Sequence, residues 1–253
     1  MASQFDAVIW DFGGVLTSSP FEAFADFEMR QGIEPGFIRR VNSHNPDHNA
    51  WARLERDELS AEGFDLAFAL ESEALGHRIA GADILPLIAG TIRPAMVEAL
   101  RIISETLKTG CITNNFKAIS TLQTQDSKLS FASLYKRDIM NLFDHVIESA
   151  LVGIRKPDPA IYKMMIEALD VDPERCIYLD DLGINLKPAR TMGMQTIKVS
   201  DPSASIDQLS SLLQIDLRAL DGEALLLCCR QVSCFDGELP YHVAGLFIFH
   251  FHT

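Results

Sequence analysis

The stretch "AVIWDFGGVL", residues 7–16, decides the fold, because it joins an apolar run to a carboxylate and then to two glycines. The run Ala7–Trp10 lacks the alternation of a half-solvated strand, which favours a strand of a parallel sheet covered on both faces. Glycines allow the following backbone to turn sharply and to come close to a ligand. The stretch therefore predicts a first buried strand that presents Asp11 at the edge of the sheet where ligands bind.

Four further short apolar runs predict the other strands, with helical patterns between them. The predicted strands are Gly110–Thr113, His145–Glu148, Cys176–Leu179 and Gln195–Val199. The predicted helices are Ala95–Lys108, Pro159–Leu169 (with Asp158 as its N-cap) and Asn185–Met192. Strands and helices that alternate in this way predict an α/β fold with a doubly wound parallel sheet.

The interval from residue 18 to 91 is far too long for an ordinary crossover between strands and carries helical signals. Phenylalanines recur at three-residue spacing in "PFEAFADFEMRQG", residues 20–32, and Ser60 is placed to cap another amphipathic run. These patterns predict a helical cap at 18–91, inserted into a core formed by 1–17 and 92–220. An insert at this point would stand over the carboxyl ends of the strands, where ligands bind in such sheets.

Two groups of conspicuous residues receive no functional role from the sequence. The tail 221–253 departs from the preceding sequence in its aromatic, cysteine and histidine content, and its structure is left without a prediction. In the cap, packing or surface roles are predicted for the aromatic and basic side chains Phe21, Phe24, Phe27, Trp51, His44, His48, Arg39 and Arg40.

The composition restricts the class of partner. The 253 residues carry a formal net charge of −13, which argues against a nucleic-acid surface and against binding to an anionic membrane. No window is apolar over the length that a membrane helix needs, and the first residues lack the pattern of a secretory signal. Five cysteines, an odd number, fit a reducing compartment. These features predict a cytoplasmic protein that acts on a small molecule, and they leave its oligomeric state open.

Polar residues stand at or near the ends of the predicted strands. They are Asp11, Thr113, Asn114, Lys156 (in the loop "GIRKPDPAIY"), Asp180 and Asp181. Because the carboxyl ends of parallel strands lie along one edge, we expect these side chains to share one cleft. Several carboxylates with a single ammonium group repel one another unless a cation joins them. An all-oxygen set of this kind suits Mg²⁺.

The order Asp, Thr, Lys and acidic pair resembles the four motifs of the haloacid dehalogenase (HAD) superfamily of hydrolases. The segments that carry the resemblance are "VIWDFGGVL", "CITNN", "GIRKPDPAIY" and "YLDDLGINLKPA", within residues 5–220. More narrowly, the chain resembles the phosphatase domain at the N-terminus of soluble epoxide hydrolase and the HAD domain of acyl-CoA dehydrogenase family member 10. The resemblance implies a Rossmann-like core with a helical cap, and a Mg²⁺-dependent phosphatase of small phosphorylated metabolites.

The resemblance also implies the roles of the residues that meet the substrate. Asp11 would be the nucleophile that forms an aspartyl-phosphate. The Thr113 side chain and the backbone at Gly14 and Asn114 would hold phosphoryl oxygens, and Lys156 would offset negative charge on the nucleophile and the transferring group.

A second set of implied roles concerns the metal. Asp11, the backbone carbonyl of Gly13 and Asp181 would bind Mg²⁺, while Asp180 would orient the ligands or metal-bound water without binding the ion. Separately from the resemblance, Asn185 is predicted to be a helix cap or a residue that supports the ligands, rather than a ligand itself.

Gly13 departs from the family's pattern, because phosphatases of the superfamily usually carry a second Asp at this position that donates and accepts a proton. A glycine cannot supply that proton, and general acid–base help is typically worth about 10²–10⁴-fold in rate. We therefore expect metal binding with slow turnover, unless a residue of the cap or the substrate itself supplies the acid. Two alternatives stay open: a catalytically weak module with a binding or regulatory role, and a hydrolase of carbon–halogen bonds, which the missing aromatic residue at position 13 disfavours. Cleavage of carbon–phosphorus bonds would need a lysine of the cap to form a Schiff base with the substrate. It is disfavoured because residues 18–91 contain no lysine.

Overall fold

The fold was analysed in a computed structural model that describes residues 4–116 and 137–218. Five parallel strands form one sheet in the order β3-β2-β1-β4-β5. The strands are β1 (Ala7–Trp10), β2 (Lys108–Thr113), β3 (His145–Glu148), β4 (Cys176–Asp180) and β5 (Gln195–Lys198). The chain runs outward from β1 to β3, then returns to β4 on the other side of β1, so the predicted doubly wound sheet is confirmed.

The register of the central strand brings the predicted site residues to one edge. Trp10, the last residue of β1, lies opposite Cys111 of β2 and Leu179 of β4. The backbone N–H of Asp11 then donates to the Leu179 carbonyl at 2.8 Å. Asp11, the residue after β1, and Asp180, the last residue of the adjacent strand β4, therefore lie side by side at the same edge of the sheet.

Helices of the core, as far as the described residues show them, cover the sheet. They are α6 (Pro94–Ser104), α7 (Ser149–Val152), α8 (Pro159–Leu169), α9 (Gly183–Thr191) and α10 (Pro202–Leu213), with a 3₁₀ turn at Pro173–Arg175. Alternate residues of β1 serve opposite faces, as the two-residue period of a strand requires. Val8 and Trp10 belong to the cluster with Leu100 of α6, whereas Ile9 belongs to the cluster with Tyr162 of α8.

Several predicted boundaries differ from the observed ones for local reasons. The helix predicted to end at Lys108 ends at Ser104, because Lys108 already pairs with Ala7 in the sheet. Helix α9 begins at Gly183 rather than Asn185. The N-caps predicted at Ser60 and Asp158 are confirmed, since their side chains accept from the backbone N–H of Gly63 and Ala160 respectively.

Helices fill the chain between β1 and β2, where the cap was predicted. They are α1 (Pro20–Gln31), α2 (Phe37–Ser43), α3 (Ala50–Glu55), α4 (Ala61–Ala74), α5 (Gly81–Ile84) and a 3₁₀ turn at Leu85–Ile88. Their inner faces form an apolar cluster of their own that is rich in phenylalanine. An antiparallel bridge between Thr17 and Ile92 lies where the chain leaves the core and returns to it.

The described residues contain no helix that is long and apolar enough to cross a membrane. The tail at 221–253, for which no structure was predicted, lies outside the described residues.

Candidate active site

Asp11 lies at the floor of a cavity, directly after the central strand. It is only 7% exposed. Its Oδ1 forms an ion pair with Lys156 Nζ at 2.8 Å and accepts from the Phe12 backbone N–H at 2.7 Å. Burial and the nearby carboxylates of Asp180 and Asp181 raise the pKa of Asp11, against the opposing effect of the Lys156 ammonium. The site therefore contains more negative charge than its one lysine balances.

Lys156 is buried and holds two carboxylates at once. Its Nζ lies 2.8 Å from Asp11 Oδ1 and 2.8 Å from Asp180 Oδ2. Burial alone would lower the pKa of Lys156, but the two carboxylates raise it above its ordinary value. The backbone of Lys156 is fixed by Asn114, whose Oδ1 accepts from Lys156 N at 2.9 Å and whose Nδ2 donates to Lys156 O at 3.1 Å. Lys156 is therefore a fixed cation at neutral pH.

Asp180 is fully buried and its two oxygens are occupied by protein donors. Oδ2 accepts from Tyr178 Oη at 2.6 Å and contacts Lys156, and Oδ1 accepts from Leu182 N at 2.8 Å. Asn185 Nδ2 lies 3.1 Å from both oxygens. With these partners, Asp180 holds the Lys156 ammonium and the start of α9. Its role, and that of Asn185, in supporting metal ligands stays a prediction.

Asp181 faces the cavity instead. Its Oδ2 accepts from Ser19 Oγ at 3.2 Å, and burial raises its pKa. Gly14 lies against this carboxylate, because a Cβ built at Gly14 would stand 2.3 Å from Asp181 Oδ2. Gly14 also has a φ of +75°, and its carbonyl accepts from Arg93 Nη1 at 2.6 Å. Only glycine fits this turn, for both conformation and space.

The carboxylates of Asp11, Asp180 and Asp181 form a group that could hold a metal ion. One oxygen from each lies within 4.8 Å of the others. Three carboxylates and one buried ammonium leave an excess of negative charge, which a divalent cation would relieve. Because Asp180 is already occupied, Asp11 and Asp181 are the carboxylates with room for an ion. Their all-oxygen donor set fits a hard cation such as Mg²⁺.

Of the other predicted site residues, some line the cavity and one does not. Asn114, Gly13 and Asn185 line the cavity together with Asp11 and Lys156. Thr113 is the buried last residue of β2, 8% exposed, and is not among the residues that line the cavity. A Cβ built at Gly13 would meet no atom within 4 Å, so this position has room for a side chain.

The cavity has a volume of about 560 Å³ and a roof formed by cap helices. Apolar and aromatic residues of its lining are Pro20, Phe21, Phe24, Trp51, Ile88, Phe116, Leu182 and Ile184. Arg39 also lines the cavity, and its guanidinium carbon lies 5.1 Å from the centre of the Phe21 ring. Packing and surface roles for Phe21, Phe24, Trp51 and Arg39 are therefore incomplete, because all four also face the cavity.

Sequence reasoning missed four polar residues that shape the site. Tyr178 and Ser19 donate to the two acidic residues, as described above. The buried Glu55, in the cap, forms an ion pair at 2.6 Å with Arg155, which is partly exposed. Arg155 and Tyr178 could have been found, since each lies within two residues of a motif residue. Ser19 and Glu55 carry no comparable signal, because only the tertiary fold brings them to the core.

With this geometry in place, comparisons with known proteins decide the family. The haloacid dehalogenase-like hydrolase family matches residues 5–193 of the chain. The chain belongs to the haloacid dehalogenase-like hydrolases. The resemblance drawn from the four motifs is thereby confirmed, and the α/β fold agrees with it.

Relatives of known name cover different shares of their own length. The chain is 33% identical to acyl-CoA dehydrogenase family member 10 of Mus musculus over 85% of this chain, but over only 20% of that protein. It is 34% identical to bifunctional epoxide hydrolase 2 of Sus scrofa over 49% of this chain and 21% of that protein. It is 36% identical to the phosphatase MT3486 of Mycobacterium tuberculosis over 81% of this chain and 94% of that protein. The chain thus spans about a fifth of the first two relatives and most of the third.

A solved structure shares the fold. A HAD family enzyme of Bacteroides thetaiotaomicron, determined in complex with magnesium and inorganic phosphate, superposes with a TM-score of 0.53 at 17% identity. The match covers 79% of this chain and 98% of that one.

Proposed function

We propose that the chain is a Mg²⁺-dependent phosphatase that hydrolyses a phosphate monoester of a small organic molecule through an aspartyl-phosphate on Asp11. The observation that carries the proposal is the position of Asp11. Its carboxylate lies at the cavity floor, paired to the buried ammonium of Lys156 and within 4.8 Å of the Asp181 carboxylate. This geometry combines a nucleophile with the positive charge that a phosphoryl group requires.

In the first step, an oxygen of Asp11 attacks phosphorus, and the bond from phosphorus to the alcohol oxygen of the substrate breaks, so that the substrate leaves as an alkoxide and takes a proton from water. Lys156 does not move, because Asp180 and the Asn114 side chain already hold its ammonium and its backbone. A fixed cation stabilises charge on the transferring group without reorganisation. The backbone of the turn at Gly13 and Gly14 lies beside Asp11 and could donate N–H groups to phosphoryl oxygens.

In the second step, water attacks the phosphorus of the aspartyl-phosphate, which regenerates the Asp11 carboxylate and releases inorganic phosphate. Lys156 still faces Asp11 in this step and offsets the negative charge that returns to the Asp11 carboxylate as its bond to phosphorus breaks.

Asp11, Asp181 and the backbone carbonyl of Gly13 are the groups that would hold Mg²⁺. When bound, the ion would offset the repulsion between a carboxylate and a phosphate dianion. Gly14 supports this arrangement, because its missing side chain lets the Asp181 carboxylate approach the turn. The relative from Bacteroides thetaiotaomicron, solved with magnesium and phosphate, has the same fold.

Gly13 offers no proton to the oxygen that leaves. We therefore expect slow turnover on alkyl phosphates, whose alkoxide leaving groups need protonation, and faster turnover on aryl phosphates, whose leaving groups do not. A 560 Å³ cavity with an aromatic roof fits a small phosphorylated molecule that has an apolar portion. The phosphatase from Mycobacterium tuberculosis, which matches over most of its length, supports phosphate esters as the substrate class.

The direct test is hydrolysis of a panel of alkyl and aryl phosphates by the wild-type chain and by Asp11→Asn, with and without Mg²⁺. Phosphate release by the wild type that requires Mg²⁺ and is abolished in Asp11→Asn supports the proposal. Activity that survives Asp11→Asn would show that the nucleophile is misassigned.

Gly13 also favours a second candidate, a module that binds a metabolite and turns it over weakly or not at all. That candidate is favoured if both proteins are inactive across the panel while the wild type binds phosphate esters.

A further inference from the structure

Glu55 lies at the end of cap helix α3, yet its side chain is engaged by the core. It is 7% exposed. Its Oε2 forms an ion pair with Arg155 Nε at 2.6 Å and accepts from Asn114 Nδ2 at 3.3 Å. Both core partners belong to the segments that carry the proposed phosphate and lysine positions. A single cap carboxylate thus contacts two elements of the catalytic floor.

Arg155 contacts two residues of the cap. In addition to its ion pair with Glu55, its Nη1 donates to the Pro46 carbonyl at 2.9 Å, in the loop that precedes α3. Arg155 also directly precedes Lys156 in the chain. The position of α3 and its preceding loop is therefore tied to the residue next to the catalytic lysine.

Asn114 gives a second route from Glu55 to Lys156. The same Nδ2 that reaches Glu55 also donates to the Lys156 carbonyl at 3.1 Å, and its Oδ1 accepts from the Lys156 N–H at 2.9 Å. A displaced Glu55 carboxylate would remove one of the partners that fix this amide. The backbone of Lys156 would then lose part of its support.

Other contacts hold Glu55 itself in place. Trp51 Nε1 donates to Glu55 Oε1 at 2.9 Å, and Ser149 Oγ of the core donates to the Glu55 carbonyl at 2.7 Å. An ion pair that is largely removed from water, as this one is, contributes little to stability, because desolvation of the charges offsets their attraction. Its best attested use is to specify one arrangement of two elements, and here the elements are the cap and the loop of Lys156.

We infer that Glu55 and Arg155 are positioning residues that couple the seating of the cap to the placement of Lys156. The inference rests on the proposed function for its kinetic consequence, but the coupling itself is a property of the fold. When the cap is seated, Glu55 fixes Arg155 and Asn114, and these fix Lys156 against Asp11. A cap that is not seated would leave the loop of Lys156 less constrained.

The test uses the full chain with the variants Glu55→Gln and Arg155→Met. The matched control is Glu73→Gln, which breaks an exposed ion pair of the same cap, Glu73 with Arg78 at 2.7 Å. Hydrogen exchange followed by mass spectrometry reports the amides of residues 153–158, including the Lys156 N–H that bonds to Asn114. Steady-state kinetics with p-nitrophenyl phosphate and Mg²⁺ report kcat and KM, and circular dichroism checks that each variant is folded.

Faster exchange at 153–158 in both variants and not in the control supports the coupling. We expect kcat to fall by roughly 10- to 100-fold in the two variants, as for other residues that support catalytic groups from behind. The double variant should lose little more than either single one, because both remove the same interaction.

Unchanged exchange at 153–158 in Glu55→Gln and Arg155→Met would overturn the inference, whatever the activity. A kcat that falls equally in the Glu73→Gln control would also overturn it, since the effect would then belong to the cap in general. If the wild type hydrolyses no phosphate ester but exchange still responds, the proposed function fails and the coupling stands.

Discussion

The floor of the cavity, which includes Asp11, Lys156 and Asp181, differs in chemistry from its roof, which is formed by Phe21, Trp51 and other residues of the cap helices. The floor is polar, and its side chains are held by short bonds: Lys156 lies 2.8 Å from both Asp11 and Asp180, and Asp180 has a further donor in Tyr178 at 2.6 Å. The roof is aromatic and partly open, with Phe21, Trp51 and Arg39 exposed to different degrees. A floor whose side chains are held by protein partners suits chemistry that is common to a family, and a roof with partly exposed side chains suits selection of the substrate.

The largest expected difference is between the buried ion pairs of the floor and an exposed ion pair elsewhere in the cap. Lys156→Met leaves Asp11 and Asp180 buried without their cation, so we expect a loss of about 3–5 kcal/mol in the free energy of unfolding. Activity should fall by about 10³-fold or more, as for the loss of other catalytic groups. In the cap, Arg40→Met breaks an exposed pair with Glu34, neither of which lines the cavity, and should cost less than about 1 kcal/mol.

Chemical denaturation of both variants and phosphate release measure these effects. Equal losses of stability in the two variants would show that the buried ion pairs of the floor matter no more to folding than an exposed pair of the cap.

Within the floor, the two adjacent glycines give a sharper contrast. Gly14→Ala places a Cβ against the Asp181 carboxylate at a positive φ, so we expect a loss of about 1–3 kcal/mol in stability and weaker Mg²⁺ binding. Gly13→Ala has open space around its Cβ and should change stability by no more than about 0.5 kcal/mol. Thermal melts with and without Mg²⁺ report both values. A Gly14→Ala protein as stable as Gly13→Ala would show that the turn is not constrained by Asp181.

Gly13→Asp tests whether the floor lacks a proton donor. The open space at this position admits the side chain, and a carboxyl group there could protonate the leaving oxygen. We expect kcat on an alkyl phosphate to rise by about tenfold or more, with a smaller rise on an aryl phosphate. Equal rates for Gly13→Asp and the wild type on both esters, with Mg²⁺ bound, would indicate that proton transfer does not limit turnover.

The smallest expected effect lies in the roof. Trp51→Phe keeps an aromatic wall but removes the hydrogen bond from Nε1 to Glu55, which is worth about 1 kcal/mol. We expect a change of a few-fold in KM, with kcat nearly unaltered. Steady-state kinetics on one aryl phosphate measure both constants. A loss of kcat comparable to that of Lys156→Met would show that Trp51 acts in the chemical step, as the floor residues do.

The floor could be predicted from the sequence much more completely than the roof. Asp11, Lys156 and Asp181 stand at or near strand ends, and parallel strands bring such positions to one edge, so their meeting followed from topology. Asp158 and Ser60 were identified as caps because capping depends on local backbone groups. These features need only local patterns and one rule of sheet geometry.

The roof depends on tertiary packing that local patterns do not encode. A phenylalanine at helical spacing, such as Phe24, serves the cap's own apolar cluster and the cavity at once, and the sequence shows only the first role. In the sequence, Glu55 looks like an ordinary solvent-exposed acid of a helix. Only the fold brings it into contact with Arg155, which lies a hundred residues further along the chain. The start of α9 also differed, because Asp180 closes the preceding turn by accepting from Leu182 N.

A calorimetric titration of Mg²⁺ into the wild type, Asp181→Asn and Asp47→Asn tests most directly whether Asp11 and Asp181 share one ion. Asp47 is the matched control, since it is an exposed carboxylate that lines the same cavity on the cap side. We expect one saturable site in the wild type and in Asp47→Asn, and binding weakened beyond detection in Asp181→Asn. Equal Mg²⁺ affinity in Asp181→Asn and the wild type, or no binding to the wild type, would contradict the account.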